Sequence, residues 1–311
     1  MDTLADVLAA SAVAGSVAAS LAAGEPWGLR LDAVPGAAFH AVAAGTAWLR
    51  IAERPPLRLM PGDAVLLPSG AAHDLLSDLA VAPQPFDHAA AEAALERGVP
   101  MAIGPAPAGT QILCASYQHD PAATLATFGL LPEVVHVRSG EAPVALRTTL
   151  QLLAEELHGG GAGTRAVLDH VVNVLLIQVL RAWVVGNQAA TSAPSWLRGL
   201  ADPVTRAALA ELHRDPGRPW TTEDLARRAG VSRATLGRRF AAEVGHTPGD
   251  YLTTWRMELA ARRLRTTDDP VGAVARAVGY TSEYAFNRAF ARRHGIAPGR
   301  YRSRNRKPNW T

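Results

Sequence analysis

The chain has 311 residues, 48% of them hydrophobic, which is material for two ordinary domains and excludes a disordered chain or a minimal disulfide scaffold. Cys114 is the only cysteine, so an intramolecular disulfide and a multi-thiolate zinc site are excluded as well. The net charge of +3 conceals a division: residues 1–195 hold 9 basic and 17 acidic side chains (−8), whereas residues 196–311 hold 22 and 11 (+11), the pattern of a phosphate-binding module joined to one without that task.

The N-terminus is apolar and Ala-rich, and residues 4–22 read as a helix. With Asp2, Asp6 and no basic residue before Arg30, this segment lacks the basic start of a signal peptide. From Trp27 the period shortens. Residues 27–31, 39–42, 47–51, 57–59 and 64–67 read as short strands punctuated by Pro35-Gly36, Gly45, Pro55-Pro56, Pro61-Gly62 and Pro68-Ser69-Gly70, the pattern of a small antiparallel barrel or jelly roll. Gly62, Pro68, Gly70 and His73 are spaced as in the second conserved motif of cupins, with Ser77 where that motif usually has Asn. The first cupin motif is poorly kept: His40 stands at its first histidine and Val42 at its second.

A catalytic cupin metal wants about three histidines and a carboxylate, and here only His40 and His73 offer themselves. No metal and no cofactor is therefore expected. The two histidines are read as contacts to a small organic effector, or as polar groups satisfied within the barrel. Trp48 is either core or a stacking platform for the same effector. Cys114 reads as a buried, inert thiol, since a redox role would need an intermolecular partner. No nucleophile-and-base arrangement is found, so no catalytic residue is assigned. Gly159-Gly160-Gly161 precedes no Lys-Ser/Thr and reads as a joint, not a phosphate cradle.

Residues 83–109 read as an irregular surface excursion with a short helix at 89–96, followed by strands at 110–117 and 130–137 and by helices at 143–158 and 165–185. The last helix is apolar on more than one face and must bury both. Its apolar run, 171–185, is too short to cross a bilayer and is interrupted by Asn173, Gln178 and Arg181, so a soluble cytoplasmic protein with no membrane partner is expected. A polar linker follows.

The C-terminal third contains one pattern written twice. Ser232/Ser282, Leu236/Phe286, Arg238/Arg288, Phe240/Phe290, Gly245/Gly295, Pro248/Pro298 and Tyr251/Tyr301 each lie fifty residues apart. Each copy is a short helix, a Gly turn at Gly230 or Gly279, and a second helix capped by Ser232 or Ser282: a helix-turn-helix signature. Leu236 and Phe240, or Phe286 and Phe290, bury one face of the second helix. Ala234, Thr235, Gly237 and Arg238, and in the other copy Ser282, Tyr284, Asn287 and Arg288, lie on the exposed side, where an arginine can reach guanine in the major groove. Residues 248–266 read as one helix of roughly 28 Å joining the copies.

Gly279-Tyr280-Thr281-Ser282 followed by Phe286, Arg288, Phe290, Gly295, Pro298, Tyr301 and Arg302 resembles the signature of AraC/XylS-type transcription regulators. The resemblance implies that the exposed positions of both second helices contact bases. With Ala and Gly at 234 and 237, shape or phosphate contacts would carry more of the first motif's share. It also implies that the helices after the cupin-like barrel pair two subunits, that effector binding alters the disposition of the DNA-binding domains, and that activation is commoner than repression.

The expected fold is therefore α+β and multidomain: a cupin-like effector-sensing β-barrel at 1–142, dimerisation helices at 143–186, a linker at 187–196, and an all-α domain with two helix-turn-helix motifs at 197–306. The expected function is a sequence-specific, effector-controlled transcription regulator, with promoter DNA, a small molecule and a second copy as partners and RNA polymerase as a further candidate. The alternative is a metal-dependent cupin enzyme with an accessory helical domain.

Overall fold

The computed structural model describes residues 2–118, 128–159, 163–186 and 193–305. By internal contacts the described residues form two compact units, one of residues 2–12 and 193–305, the other of 13–118, 128–159 and 163–186. Helix α1 (Thr3–Ala10) starts at Asp2, whose side chain accepts from the Leu4 and Ala5 amides. The helix expected over 4–22 stops there, because Ala14–Ala23 is strand β1. Alanine's helical preference amounts to a fraction of a kcal/mol per residue, and pairing wins over it. Gly15 shows how closely: a Cβ there would come within 2.6 Å of the Tyr117 ring and of Val172.

The strands that follow are β2 (Gly28–Leu31), β3 (Ala37–Ala44), β4 (Ala47–Ile51), β5 (Leu57–Leu59), β6 (Ala64–Leu67), β7 (His73–Leu76) and β8 (Gln84–Pro85). After α2 (His88–Glu96) come β9 (Met101–Ile103), β10 (Thr110–Gln118) and β11 (Val135–Val137). Strands β7, β8 and β9 were not foreseen, and the strand expected over 130–137 shortens to β11 behind a 3-10 turn at Phe128–Leu130. One sheet runs β11-β6-β3-β10-β1-β9 and the other β5-β4-β7-β2-β8. Between them lies a single core with Leu21, Val42, Val65, Leu67 and Ile112 from the first sheet and Leu29, Leu49, Ile51, Leu59 and Leu75 from the second.

Helices α3 (Val144–Gly159) and α4 (Thr164–Gly186) complete this unit. Leu168, Val172, Leu175, Leu176, Val179, Leu180 and Trp183 of α4 are buried. They are buried within the chain itself: the Tyr117 hydroxyl donates to the Val172 carbonyl at 2.8 Å, the Gly15 amide to Asn173 Oδ1 at 2.9 Å, and Gln178 Nε2 to Thr149 Oγ1 of α3 at 3.0 Å. The two apolar faces inferred from the sequence are thus satisfied by the first sheet and by α3. Residues Ala166–Gly186 are long and apolar enough to cross a membrane by length and composition, more than the shorter run read from sequence, but the inner side of this helix is occupied.

The other unit comprises α5 (Trp196–Gly199), α6 (Pro203–Arg214), α7 (Thr222–Arg228), α8 (Arg233–Val244), α9 (Pro248–Thr266), α10 (Val271–Ala277), α11 (Glu283–His294) and α12 (Pro298–Asn305). Helix α9 matches the expected 248–266 span and is its axle, packing on α6 and α8 and also on α10, α11 and α12. The unit also includes α1, which the division at residue 142 had placed with the barrel; α1 packs on α6 and α9 through the buried Leu4, Val7 and Leu8.

Beneath α1, His213 of α6 stacks on Trp255 at 4.2 Å, approaches the Tyr251 hydroxyl at 2.8 Å and faces Asp6 Oδ2 at 3.4 Å. Burial lowers its pKa to about 3. Between that value and the ordinary 6.5, the unfolded chain binds a proton that the folded one refuses, so stability falls as pH drops through this window. The midpoint of urea unfolding of this unit should decline from pH 6.5 toward 4, and His213→Phe should flatten that decline; an equally steep decline in the variant would assign it elsewhere.

Gly230 and Gly279 have φ of +69° and +83°, the left-handed region that ends α7 and α10. They differ in surroundings. Nothing lies within 4 Å of a Cβ at Gly230, whereas at Gly279 it would meet the Gly217 carbonyl oxygen at 2.5 Å. Gly230→Ala should therefore cost about 1 kcal/mol, the left-handed penalty alone, and Gly279→Ala distinctly more. Denaturant midpoints would measure the difference, and equal losses would show that the Gly217 contact relaxes freely.

Candidate nucleic-acid interface and ligand site

The first motif begins with a reciprocal cap: Thr221 Oγ1 accepts from the Asp224 amide at 3.1 Å, and Asp224 Oδ2 accepts from the Thr221 hydroxyl at 2.7 Å, which draws the carboxyl below its ordinary pKa. Helix α8 starts at Ser232, which accepts from the Thr235 amide at 3.2 Å, and α11 at Ser282, which accepts from the Ala285 amide at 3.3 Å. Both end at left-handed glycines, Gly245 and Gly295. The fifty-residue repeat therefore holds down to its caps.

With Leu236, Phe240, Phe286 and Phe290 fully buried, the opposite sides of α8 and α11 are exposed. Ala234 and Arg238 are exposed on α8, with Thr235 and Gly237 half-buried beside them. Thr235 Oγ1 lies 2.9 Å from Ser232 Oγ, so its hydroxyl is engaged at the cap. On α11, Ser282 and Arg288 are exposed, Tyr284 is 72% exposed, and the Arg288 guanidinium lies 5.9 Å from the centre of the Tyr284 ring. An exposed aromatic of that size with an arginine laid against it forms a flat, cationic ridge. Asn287 is half-buried and its Oδ1 has no hydrogen-bond partner among the described residues.

Sequence reading missed Arg233, exposed in the first turn of α8, and a stack in which the Trp220 ring lies 4.3 Å from the Arg218 guanidinium and 5.1 Å from that of Arg228. The arginines were visible in the composition, but only the fold brings 218 and 228 to one ring. A second anchor joins the two motifs: Arg256 of α9 donates from Nε to the Pro216 carbonyl at 2.6 Å and from Nη2 to that of Arg218 at 2.9 Å, and lies 5.9 Å from the Tyr280 ring centre.

In the N-terminal unit, the structure brings His40 and His73 together. His40 on β3 and His73 on β7 come from opposite sheets, and their Nε2 atoms are 2.7 Å apart. Cys114, opposite His40 in the β10–β3 register, completes the cluster, with Sγ 3.1 Å from His40 Nδ1. Burial holds both histidines below the ordinary imidazole pKa and pushes the Cys114 thiol up to about 12.

Trp48 does not join them. Its neighbours Ala47 and Leu49 belong to the inter-sheet core, so Trp48 projects from the other face of β4, where Arg58 lies 5.9 Å from its ring centre. Arg30 and Arg50 also clamp Asp74, at 3.0 and 2.8 Å, which leaves that carboxylate occupied. A cavity of about 340 Å³ lies elsewhere in this unit, between the β1–β10–β3 face and α3, lined by Ser20, Ala41, Leu113, Gln111, Leu150 and Arg147.

Comparison with known proteins agrees with this architecture. Residues 2–185 match the cupin family and residues 225–304 the helix-turn-helix domain family. An AraC-like transcription regulator of Streptomyces antibioticus is 39% identical over 97% of this chain and 98% of its own length, and one of Streptomyces lividans is 37% identical over 99% and 100%. The crystal structure of the DNA-binding domain of AdpA in complex with a target DNA is 35% identical, covering 33% of this chain and 92% of that one with a TM-score of 0.32. The repeated capped motif and the full-length similarity agree, and the chain belongs to the AraC-like transcription regulators, built from a cupin domain and a double helix-turn-helix DNA-binding domain.

Proposed function

We propose that this chain is a one-component regulator acting in the cytoplasm: the cupin unit receives a small-molecule signal, a second copy pairs through α3 and α4, and the helical unit carries the dimer to promoter DNA, where it activates transcription by way of RNA polymerase. No catalytic role is assigned to any residue. The observation that carries the reading is the pair of exposed ridges on α8 and α11, each on a capped helix, in the segment 196–311 with its charge of +11. Direct base reading rests chiefly on Arg238, Tyr284, Asn287 and Arg288. Ala234, Thr235 and Gly237 allow close approach of the α8 backbone, and Ser282 holds the start of α11.

Mobility shift with a fragment of the gene's own upstream region should give a specific complex that weakens as salt rises, because phosphate counterions are recaptured. Arg288→Ala should cost about 1 to 3 kcal/mol on that fragment and much less on random DNA. Equal losses on both would make Arg288 a phosphate contact and remove base reading from α11.

The pairing surface must avoid residues already buried within the unit. Val167, Val174 and Arg181 recur every seven residues along the outer side of α4 and Val185 continues the stripe; Val167, Val174 and Val185 are 39%, 45% and 72% exposed. Leu152 of α3 is 46% exposed. Val174→Asp should yield a folded monomer in sedimentation, whereas Leu176→Asp, at 2% exposure, should unfold the unit. A Val174→Asp chain that still sediments as a dimer would place the pairing surface elsewhere.

A further inference from the structure

The six-stranded sheet has an outer face, turned away from the inter-sheet core, and it is covered unevenly. Under α4 the cover is tight: a Cβ on Gly15 would come within 2.6 Å of Val172, and the Tyr117 hydroxyl donates to the Val172 carbonyl at 2.8 Å. Under α3 it is loose. There the strands present the short side chains of Ser20, Ala41 and Ala43, and a cavity of about 340 Å³ remains. Helix α3 registers the gap in its own inner stripe of Leu146, Leu150 and Leu153. Leu146 and Leu153 are fully buried, whereas Leu150 between them, which lines the cavity, is half-buried.

The polar groups of the lining are Arg147 and Gln151 from α3 and Ser20 and Gln111 from the sheet. Arg147 donates from Nη1 to the Ala142 carbonyl at 2.7 Å, which ties its guanidinium to the start of the helix. Its Nε and Nη2 have no partner among the described residues, and no described carboxylate lines the cavity with it. We infer that this cavity is the effector site of the cupin unit and that it takes a small monocarboxylic acid with an apolar body. The inference rests on the reading of this unit as the sensing part, and names where it senses and what.

The chemistry of the lining selects the class. One unpaired guanidinium calls for one negative charge, and its planar fork matches a carboxylate. The amides of Gln111 and Gln151 and the Ser20 hydroxyl can serve the remaining lone pairs, while Ala41, Leu113, Leu150 and Ala154 take the apolar body. At water's share of liquid volume, about 30 Å³, the cavity holds on the order of ten non-hydrogen atoms. The site lies outside the space between the sheets, where the His40 and His73 Nε2 atoms already meet at 2.7 Å. A ligand here ties the sheet to α3. That helix is joined to α4 by the Gln178–Thr149 hydrogen bond at 3.0 Å and carries Leu152, 46% exposed, on its outer side. Occupancy therefore sets how α3 sits and, through it, the proposed pairing surface.

The test is calorimetric titration of the full-length protein with butyrate, hexanoate and cyclohexanecarboxylate, and with the corresponding neutral amides. The expected result is one acid per chain, with affinity rising about fourfold per added methylene from butyrate to hexanoate. Because Arg147 is exposed, its ion pair is screened, so the amides should bind about tenfold more weakly than the acids, and Arg147→Gln should weaken the acids by a similar factor. Ala154→Leu fills the cavity from the helix without touching the charge. It should abolish binding while the circular dichroism and the urea midpoint stay those of the wild type.

Acids that bind no better than their amides, or an affinity that a folded Arg147→Gln chain retains, overturn the carboxylate assignment. Binding that survives in a folded Ala154→Leu chain, or no binding by any of the three acids at millimolar concentration, overturns the site. If hexanoate binds in the cavity but leaves operator affinity in a mobility shift unchanged, the site stands and the sensing role falls. If another compound retained by the native protein alters operator affinity equally in wild type and Ala154→Leu, the cavity falls and the sensing role of the unit stands.

Discussion

A single backbone contact governs the DNA-binding unit. The Gly279 turn of the second motif lies against the Gly217 carbonyl of the turn that leads into the first, closer than any side chain would permit. Arg256 closes the same junction from α9 by holding the Pro216 and Arg218 carbonyls. A backbone contact this close leaves no room for a side chain at position 279. Helix α9 then extends the constraint, since the buried Tyr251 and Trp255 serve the first motif's side and Met257, Ala261 and Leu264 the second's. Helices α8 and α11 are parts of one body, and their relative placement is a property of the core.

The cupin unit solves a different problem. Its six-stranded sheet has two apolar faces, one turned to the opposing sheet and one covered by α4, so Tyr117 can be wholly buried and still donate to a helix carbonyl. Into the otherwise apolar inter-sheet core it admits one polar chain, from Cys114 through His40 to His73. Each member satisfies the next, which is what makes such a chain tolerable in a low-dielectric interior. A cavity between this sheet and α3 is a separate feature, with Arg147 in its lining.

What could be read in advance was whatever depends on local chemistry. The capping serines, the left-handed glycines and the 248–266 helix follow from residue type and spacing, and they appear where expected. The Ala-rich start misled because the competing influence is non-local: Ala14–Ala23 is a strand because β10, about a hundred residues on, pairs with it. The attachment of α1 to α6 and α9 and the pairing of His40 with Cys114 are likewise consequences of register between distant segments. The outward direction of Trp48, read as core or as a stacking platform, was legible in the same way as the caps. The alternation of Ala47, Leu49 and Ile51 inward puts Trp48 and Arg50 outward, away from the histidines.

Helix α9 and the glycine junction together make the C-terminal unit a caliper with fixed jaws. B-DNA turns by roughly 34 to 36° per base pair, so inserting even one base pair between two contacted segments rotates the second away from its jaw by that angle. A rigid gauge has no means of following it. On the proposed reading, in which both helices meet DNA, variation in the spacing of the contacted segments would have to be absorbed by bending of the duplex.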